Sequence, residues 1–214
     1  MKVIYLPAEI EADVLPVVAK SLKYLDKKVG ILTTAQHLSR LKDVQKFLLK
    51  EGFKAEIGGQ VLGCNQTNVK KIEAKVDCFL YIGSGRFHPI GIGLKTKKKV
   101  VCANPLNEEV SVLDRTFVDV YEKKKQGAML KFYDASNVGV LITTKSGQNR
   151  YKLALKLEKK YPDKKFYFFV CETLMFNELE NFPFIDCWVN TMCLRIMDDR
   201  EKFAKPVVNM DDVL

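Results

Sequence analysis

The apolar positions of the chain fall into short continuous runs separated by longer amphipathic stretches. Runs rich in β-branched residues predict strands at 29–33, 54–57, 78–82, 100–103, 138–143, 166–170, 187–190 and 207–208. A stripe at spacings of three and four predicts a helix after the first strand; it comprises Leu38, Leu41, Val44, Phe47 and Leu48. The stretch 153–161 carries a weaker stripe. Apolar strands that alternate with helices predict an α/β protein with parallel sheets covered on both faces.

Two blocks of the first half recur in the second half at one spacing. VGILTT at 29–34 recurs as VGVLITT at 138–144, and VDCFL at 76–80 recurs as IDCWV at 185–189, each 109 residues later. Arg86 and Arg195 keep this offset, and KVV at 99–101 matches KPVV at 205–208 after a short deletion. A shared offset indicates internal duplication. We predict two similar parallel-sheet βαβ-type domains, 1–110 and 111–214, with an amphipathic segment at 112–133 bridging them.

The N-terminal segment and the composition indicate an ordinary globular protein. Residues 1–11 predict a strand and a turn, without the basic, apolar and small-residue regions of a signal peptide. No apolar run approaches the roughly 18 residues of a membrane helix, and 47% hydrophobic with 29% charged residues is typical of a folded domain. We therefore expect a cytoplasmic protein with no membrane partner.

The net charge of +9 lies mostly in the first half, where residues 1–110 hold 18 basic and 11 acidic residues. Such an excess favours an acidic partner, a nucleic acid or a ribosome-associated protein. A solvated surface is the simpler interpretation, because the lysine runs at 97–99 and 123–125 fall at a loop and a helix end. A basic nucleic-acid-binding module stays as an alternative, although aromatic residues are not interleaved with the basic runs.

The six cysteines form no CxxC pair, which excludes a zinc ribbon or a thioredoxin-like motif. Cys78 and Cys187 lie inside apolar runs and are predicted to be buried. Cys64 and Cys193 lie in loops, where core packing does not explain them. Metal or iron–sulfur ligation, or a reactive thiol, is the functional interpretation of such cysteines.

Ligands of parallel α/β sheets bind beyond the carboxyl ends of the strands, which selects the loops at 33–37, 63–65, 83–89, 104–105, 143–148 and 191–195. The glycines of the 83–89 loop permit close approach of a ligand, and its backbone N–H groups with Arg86 could hold a carboxylate or phosphate. A plain turn before a helix is the alternative. The 144–148 loop is a second small-residue turn with one cation, Lys145, and either a ligand site or a structural turn explains it. His37, in the matching turn of the first half, is either a site residue or a helix-start residue, and the second interpretation is favoured.

Several of these segments resemble the diphthamide synthase family, the 2-(3-amino-3-carboxypropyl)histidine synthases. The similar segments are GQVLGC at 59–64, YIGSGRFHP at 81–89, TKSGQ at 144–148, VNTMCLRI at 189–196 and KPV at 205–207. They occur in the order found in the family and span nearly the whole chain.

The resemblance implies a [4Fe–4S] enzyme that transfers a 3-amino-3-carboxypropyl group, as a radical, from S-adenosylmethionine to a histidine of translation elongation factor 2. Each of three similar domains supplies one cysteine to the cluster, and the resemblance implies Cys64 and Cys193 as two of these ligands. The residues that it implies around S-adenosylmethionine are Gly83, Ser84, Gly85, Arg86, His88, Thr144, Lys145, Gly147, Gln148 and Arg195.

The resemblance covers the second and third domains of the family only, without the first domain and its cysteine. Three explanations stay open. A separate first-domain protein, or a partner in a homo- or heterodimer, supplies the missing ligand; Cys102 or Cys171 replaces it, although both are favoured as structural; or the chain is a non-catalytic binding or regulatory subunit of the same fold. The first explanation, a split or multi-subunit enzyme, is the leading expectation.

Overall fold

The computed structural model describes residues 4, 6, 8–63 and 65–214. The chain divides into two compact units, Met1–Asp119 and Val120–Leu214. No helix in the part that is described is long and apolar enough to cross a membrane.

The first unit is built on one sheet with helices on both faces. Within the described residues its strands are β1 (Lys28–Thr33), β2 (Lys54–Gln60), β3 (Cys78–Ile82), β4 (Lys99–Asn104) and β5 (Glu109–Val112), in the spatial order β2-β1-β3-β4-β5. Only β5 is antiparallel to its neighbour. The helices are α1 (Leu15–Ser21), α2 (Leu41–Lys50), α3 (Thr67–Ile72) and α4 (Phe87–Gly93), with 3₁₀ helices at Leu22–Tyr24, Ala35–Arg40 and Glu73–Lys75.

Two apolar clusters lie on the two faces of this sheet. One contains residues of α1 and α2, including Val18, Val44 and Leu48, and the other contains Val69 of α3 and Ile92 of α4. Every residue of β3 is buried, because the central strand is covered on both sides.

The second unit has a smaller sheet of the same kind. Its strands in the described chain are β6 (Asn137–Thr143), β7 (Lys165–Cys171), β8 (Cys187–Asn190) and β9 (Val207–Asn209), all parallel, in the order β7-β6-β8-β9. The helices are α5 (Arg115–Asp134), α6 (Tyr151–Ala154), α7 (Lys156–Lys160) and α8 (Met210–Val213), with 3₁₀ helices at Phe176–Asn181 and Leu194–Lys202. The boundary between the units falls within α5, whereas the division predicted at residue 110 falls within β5.

The repeated blocks occupy the same register in both sheets. Gly30 of β1 lies opposite Phe79 of β3, and Gly139 of β6 lies opposite Trp188 of β8. A Cβ atom on Gly30 would lie 2.8 Å from the Phe79 ring, and one on Gly139 would lie 2.3 Å from the Trp188 ring. Each central strand therefore has a glycine where an aromatic ring of the neighbouring strand crosses it. This shared packing agrees with the predicted duplication.

The predicted α/β class and all eight predicted strands within the repeats are confirmed, with small changes in their ends. Three features differ from the sequence interpretation. Strand β5 was not predicted; the helix expected from residue 38 begins as a 3₁₀ helix; and residues 4, 6 and 8–11 carry no strand. The other residues of the predicted N-terminal strand lie outside the described residues.

The structure also corrects the sequence alignment of β4 with β9, the last parallel strands of the two sheets. Phe79 pairs with Val100 and Trp188 pairs with Val207, so Lys98 is the counterpart of Lys205. The ammonium of Lys98 donates to the carbonyls of Glu73 and Val76. The sequence comparison had placed Lys99 there, one residue too far along the chain.

Candidate functional site

The parallel order places the loops that follow the strands of each sheet at one edge. In the first unit the Val61 N–H donates to the Thr33 carbonyl at 2.8 Å, and the Gly83 N–H donates to the Ala103 carbonyl at 3.0 Å. These bonds extend the sheet beyond the strand ends. The loops after β1, β2, β3 and β4 therefore begin side by side, where ligands of such sheets bind.

A cleft of about 100 Å³ opens between the loops that follow β1 and β3. It brings together two residues of the predicted site, Ser84 and His88, with His37 from the neighbouring loop. The lining residues are Ile10, Thr34, Gln36, His37, Tyr81, Ser84, His88 and Leu106. Of the predicted cofactor residues in the first unit, Ser84 and His88 are thus in a shared cavity.

The glycines of the 83–89 loop are required by its backbone and by its neighbours. Gly83 has φ +152°, and a Cβ atom there would lie 2.6 Å from the Tyr81 hydroxyl oxygen. Gly85 has φ +71°, in the region that favours glycine. The prediction of a tight loop followed by a helix is confirmed, because α4 begins at Phe87.

Tyr81 and His88 contact each other in the lining of this cleft. The hydroxyl oxygen lies 3.3 Å from His88 Nδ1, and the two rings stack at a centroid distance of 5.9 Å. Burial raises the pKa of Tyr81 well above its usual value, so its phenol keeps its proton. The hydroxyl and Nδ1 are within hydrogen-bonding distance, and the tautomer of His88 decides which of the two donates.

Arg86 is exposed on the same loop, and its guanidinium lies 5.6 Å from the centroid of the Phe117 ring. An arginine over an aromatic face is held by a cation–π contact. Its charge also lowers the pKa of Cys102, but burial acts more strongly and raises that pKa to about 12. Arg86 is therefore near the strand-end edge and positioned by Phe117.

The loop that carries Cys64 touches the 83–89 loop. Leu62 and Asn65 exchange two backbone hydrogen bonds of 3.0 and 3.1 Å, and Cys64 itself lies outside the described residues. A Cβ atom on Gly63 would lie 1.9 Å from the Phe87 ring. The backbone of Gly63 therefore packs directly on the first residue of α4, beside the loop of His88.

Cys193 lies at the equivalent edge of the second sheet, between β8 and the 3₁₀ helix Leu194–Lys202. Buried carboxamides fix its loop: Asn190 Nδ2 donates to the Cys193 carbonyl and to Asn209 Oδ1, each at 2.8 Å. Thr191 is fully buried and donates its hydroxyl to the Leu141 carbonyl at 2.7 Å. Its neighbours thus hold the backbone of Cys193, while the residue itself stays partly exposed.

The remaining predicted residues of the second unit lie after β6 and β8. Thr144, Lys145, Gly147 and Gln148 are exposed in a turn in which the Gln148 N–H donates to the Lys145 carbonyl at 3.1 Å. Arg195 is buried and forms an ion pair with Asp198. This pair gives Arg195 a structural contact in its own loop. A role in holding S-adenosylmethionine stays a prediction for all five residues.

The other described cysteines belong to the apolar clusters of the two sheets. Cys78 and Cys187 are fully buried, as predicted. Burial raises the pKa of Cys78 to about 11 and that of Cys187 to about 12. Cys102 and Cys171 are partly buried and pack against the apolar clusters, which supports the structural interpretation of both.

The cysteine of the described strand-end loops fits part of the ligand set of an iron–sulfur cluster. Iron–sulfur clusters are held by cysteine thiolates, commonly four. Among the residues that the structure describes, no three histidine, cysteine or carboxylate side chains come together as a metal site. Cys193, in a rigid and partly exposed loop, suits one ligand position.

Three residues that matter for these loops were missed or undervalued by sequence reasoning. His37 lies near the start of a 3₁₀ helix, as interpreted, but its ring also lines the cleft. Asn190 and Asn209 fix the Cys193 loop. The position of His37 at a strand end was a usable signal. The contact between two asparagines 19 residues apart was not visible in the sequence.

Comparison with known proteins identifies the family. The sequence profile described as diphthamide synthesis protein matches residues 1–213. The 2-(3-amino-3-carboxypropyl)histidine synthase of Pyrococcus horikoshii is 33% identical, and the match covers 98% of this chain and 64% of the relative. The synthase of Methanocaldococcus jannaschii is 30% identical over 87% of this chain and 51% of the relative.

Solved structures agree with this assignment. The crystal structure of Dph2 from Pyrococcus horikoshii with a 4Fe-4S cluster superposes with a TM-score of 0.82 at 32% identity, covering 97% of this chain and 64% of that chain. The chain thus spans less than two thirds of the length of these relatives. Since the profile, the relatives and the fold all agree, the chain belongs to the diphthamide synthesis protein family.

Proposed function

We propose that this chain is one part of a split or multi-subunit enzyme that transfers a 3-amino-3-carboxypropyl group from S-adenosylmethionine to a histidine of translation elongation factor 2. The observation that carries the proposal is the rigid, partly exposed loop of Cys193, at the carboxyl end of a parallel sheet. Family membership supports it, because the Pyrococcus homologue is a synthase of this name and a Dph2 structure holds a 4Fe-4S cluster.

Cys64 and Cys193 are the residues that would hold the cluster. Since two thiolates leave its coordination incomplete, we propose that a separate first-domain protein, or another subunit, provides the rest. A bound cluster would supply the electron that cleaves a carbon–sulfur bond of S-adenosylmethionine and would take an electron back when the imidazole adduct loses its proton, so that no electron is consumed overall.

The chain's own residues would bind and orient the co-substrate. Ser84 and His88 line the cleft of the first unit, and Arg86 lies on the same loop. Lys145 and Gln148 offer donors on the exposed loop after β6. Overall, the sulfonium–carbon bond is exchanged for a carbon–carbon bond to the imidazole, releasing 5′-methylthioadenosine and a proton. The residues therefore act by positioning the transferred group.

The charge of the chain suits the proposed protein substrate. The net charge of +9 favours docking to an acidic surface of a translation factor. Because elongation factor 2 works on ribosomes, we place the reaction in the cytoplasm.

The first test is anaerobic reconstitution of the full chain with iron and sulfide, with and without a candidate first-domain protein. We expect a [4Fe–4S] EPR signal after reduction in the combination of both proteins. Cys64→Ala and Cys193→Ala should each abolish the iron content that this chain contributes. Cys171→Ala is the matched control, because that thiol is partly buried against the core, and it should leave the iron content unchanged.

Two results would count against the proposal. Absence of iron in every combination would favour the non-catalytic subunit. Strongly salt-dependent RNA binding without binding of S-adenosylmethionine would favour the nucleic-acid-binding module.

A further inference from the structure

His37 is a buried polar residue without a described hydrogen bond for its ring. Only 3% of its surface is exposed, and Nδ1 is sealed from solvent and has no hydrogen-bond partner among the residues that the structure describes. The backbone at His37 departs from helical geometry, with φ −123° and ψ 18°. Because the residue lines the cleft between the β1 and β3 loops, Nε2 is the polar atom of the ring left to face the cavity.

The surroundings of the ring set its protonation. Burial lowers the pKa of His37, so the imidazole is neutral at pH 7. A buried N–H without a partner is rarer than a buried acceptor without one. The single proton therefore belongs on Nε2 and not on the sealed Nδ1. His37 thus presents one N–H donor to the cleft.

The cleft favours a small, electron-rich group. A volume of about 100 Å³ is enough for a group the size of a carboxylate. None of the described residues that line it carries a carboxylate, whereas Thr34, Gln36 and Ser84 add possible donors. The described lining therefore offers donors to a carboxylate, and it offers no anionic group to pair with an ammonium.

We infer that His37 donates its Nε2–H to the carboxylate of the 3-amino-3-carboxypropyl group of S-adenosylmethionine, held in the cleft between the β1 and β3 loops. The inference rests on the proposed function for the identity of the ligand. It places the carboxylate of the transferred 3-amino-3-carboxypropyl group in the first unit. His37 would then determine specificity for a carboxylate-bearing sulfonium.

The test is ¹⁵N NMR of the imidazole nitrogens in the full chain at pH 7. The chain contains two histidines, so His37→Gln identifies the signals of His37. We expect the neutral Nε2–H form, and we expect S-adenosylmethionine to shift its Nε2 signal. Decarboxylated S-adenosylmethionine and 5′-methylthioadenosine, which lack the carboxylate, should leave that signal in place.

Calorimetry with variants provides the second readout. His37→Phe should weaken binding of S-adenosylmethionine about tenfold, the usual effect of losing a hydrogen bond to a charged group. It should change binding of the decarboxylated compound by less than about twofold. His37→Gln retains an N–H donor at a similar reach, and should recover most of the lost affinity.

The outcomes separate this inference from the proposed function. An unmoved His37 signal at saturating S-adenosylmethionine, an equal shift with the decarboxylated compound, or no binding to the chain would each overturn the inference. A chain that binds S-adenosylmethionine through His37 but takes up no iron with any partner would overturn the proposed reaction and leave the carboxylate site standing.

Discussion

In the first unit β3 runs into a glycine loop and then α4, whereas in the second unit the equivalent β8 runs into the Cys193 loop and a 3₁₀ helix. Upstream of these loops the two units agree: β1 pairs with β3 as β6 pairs with β8, and Asp77 and Asp186 donate their N–H groups to Lys28 and Asn137 at 2.7 and 2.8 Å. The two units therefore share the pairing of their strands, and they differ in the loops that follow the strands.

This difference shows how the two units divide their chemistry. The first unit has a cleft with two histidines, and the second has a cysteine held by buried asparagines. Loops at strand ends are free to change because they do not carry the core packing. The loops of each unit could therefore change while the sheet under them stayed the same.

The largest expected effect comes from filling the duplicated glycines. Gly139→Ala forces a Cβ atom to within 2.3 Å of Trp188, whereas Gly30→Ala meets Phe79 at 2.8 Å. Overpacking of a core costs about 1–3 kcal/mol, so we expect about 3 kcal/mol for Gly139→Ala and about half of that for Gly30→Ala. Urea denaturation followed by circular dichroism measures both losses in the free energy of unfolding.

Two further variants sharpen this comparison. Trp188→Phe gives the second unit the ring type of the first, and it should recover part of the stability lost in Gly139→Ala. Gly127→Ala is the control, since a Cβ atom at that position in α5 meets nothing within 4 Å. It should stabilise the protein by about 0.5–1 kcal/mol through helix propensity. Equal losses at Gly30 and Gly139 would contradict the role assigned to the larger indole.

The strands that the sequence predicts most clearly are those whose residues are buried in the structure. The runs behind β1, β3, β6 and β8 are almost entirely buried, so their apolar character is visible without the structure. Strand β5 is different, because its residues are mostly exposed and its pairing with β4 is its main support. A short polar strand of this kind depends on its neighbour and leaves little pattern in the sequence.

The sequence indicated which loops lie at the strand ends, but it did not indicate which residues of those loops contact one another. The rule for parallel sheets selected the segments of His37, Ser84 and Cys193, because strand ends can be found from apolar runs. The packing of Gly63 on Phe87 joins residues 24 positions apart, and depends on the order of the strands. The ion pair between Arg195 and Asp198 likewise depends on the 3₁₀ helix Leu194–Lys202, which brings the two side chains together.

A smaller effect is expected at the duplicated lysines. Lys98 donates to the Glu73 and Val76 carbonyls, and Lys205 donates to those of Pro183 and Ile185. Replacement by methionine removes the donor from the partly buried carbonyls of Glu73, Val76 and Ile185, so Lys98→Met and Lys205→Met should each lower the free energy of unfolding by about 1 kcal/mol. Lys97→Met, at an exposed position, should change it by less than about 0.5 kcal/mol. A loss in only one unit would show that the lysine contact is not a shared element.

The smallest expected effect is confined to the first unit and depends on pH. Since burial lowers the pKa of His37 below its usual value of 6.5, the unfolded chain binds a proton more readily than the folded chain does. The contribution of a neutral His37 to stability is complete above pH 6.5 and is lost as the pH falls towards the pKa of the folded state. Amide hydrogen exchange in β1 and β3 at pH 7.5 and 5.5 measures this loss.

His37→Gln removes the titrating group, so exchange in β1 and β3 should depend less on pH in this variant than in the wild type. His88→Gln is the matched control, because it replaces the other histidine of the cleft and leaves His37 in place. The fluorescence of Trp188, the single tryptophan, reports on the second unit, and its unfolding midpoint should respond to pH equally in all three proteins. If His37→Gln kept the pH dependence of the wild type in β1 and β3, the ring would not be the buried neutral group described above, and the donor assigned to its Nε2 would lose its basis.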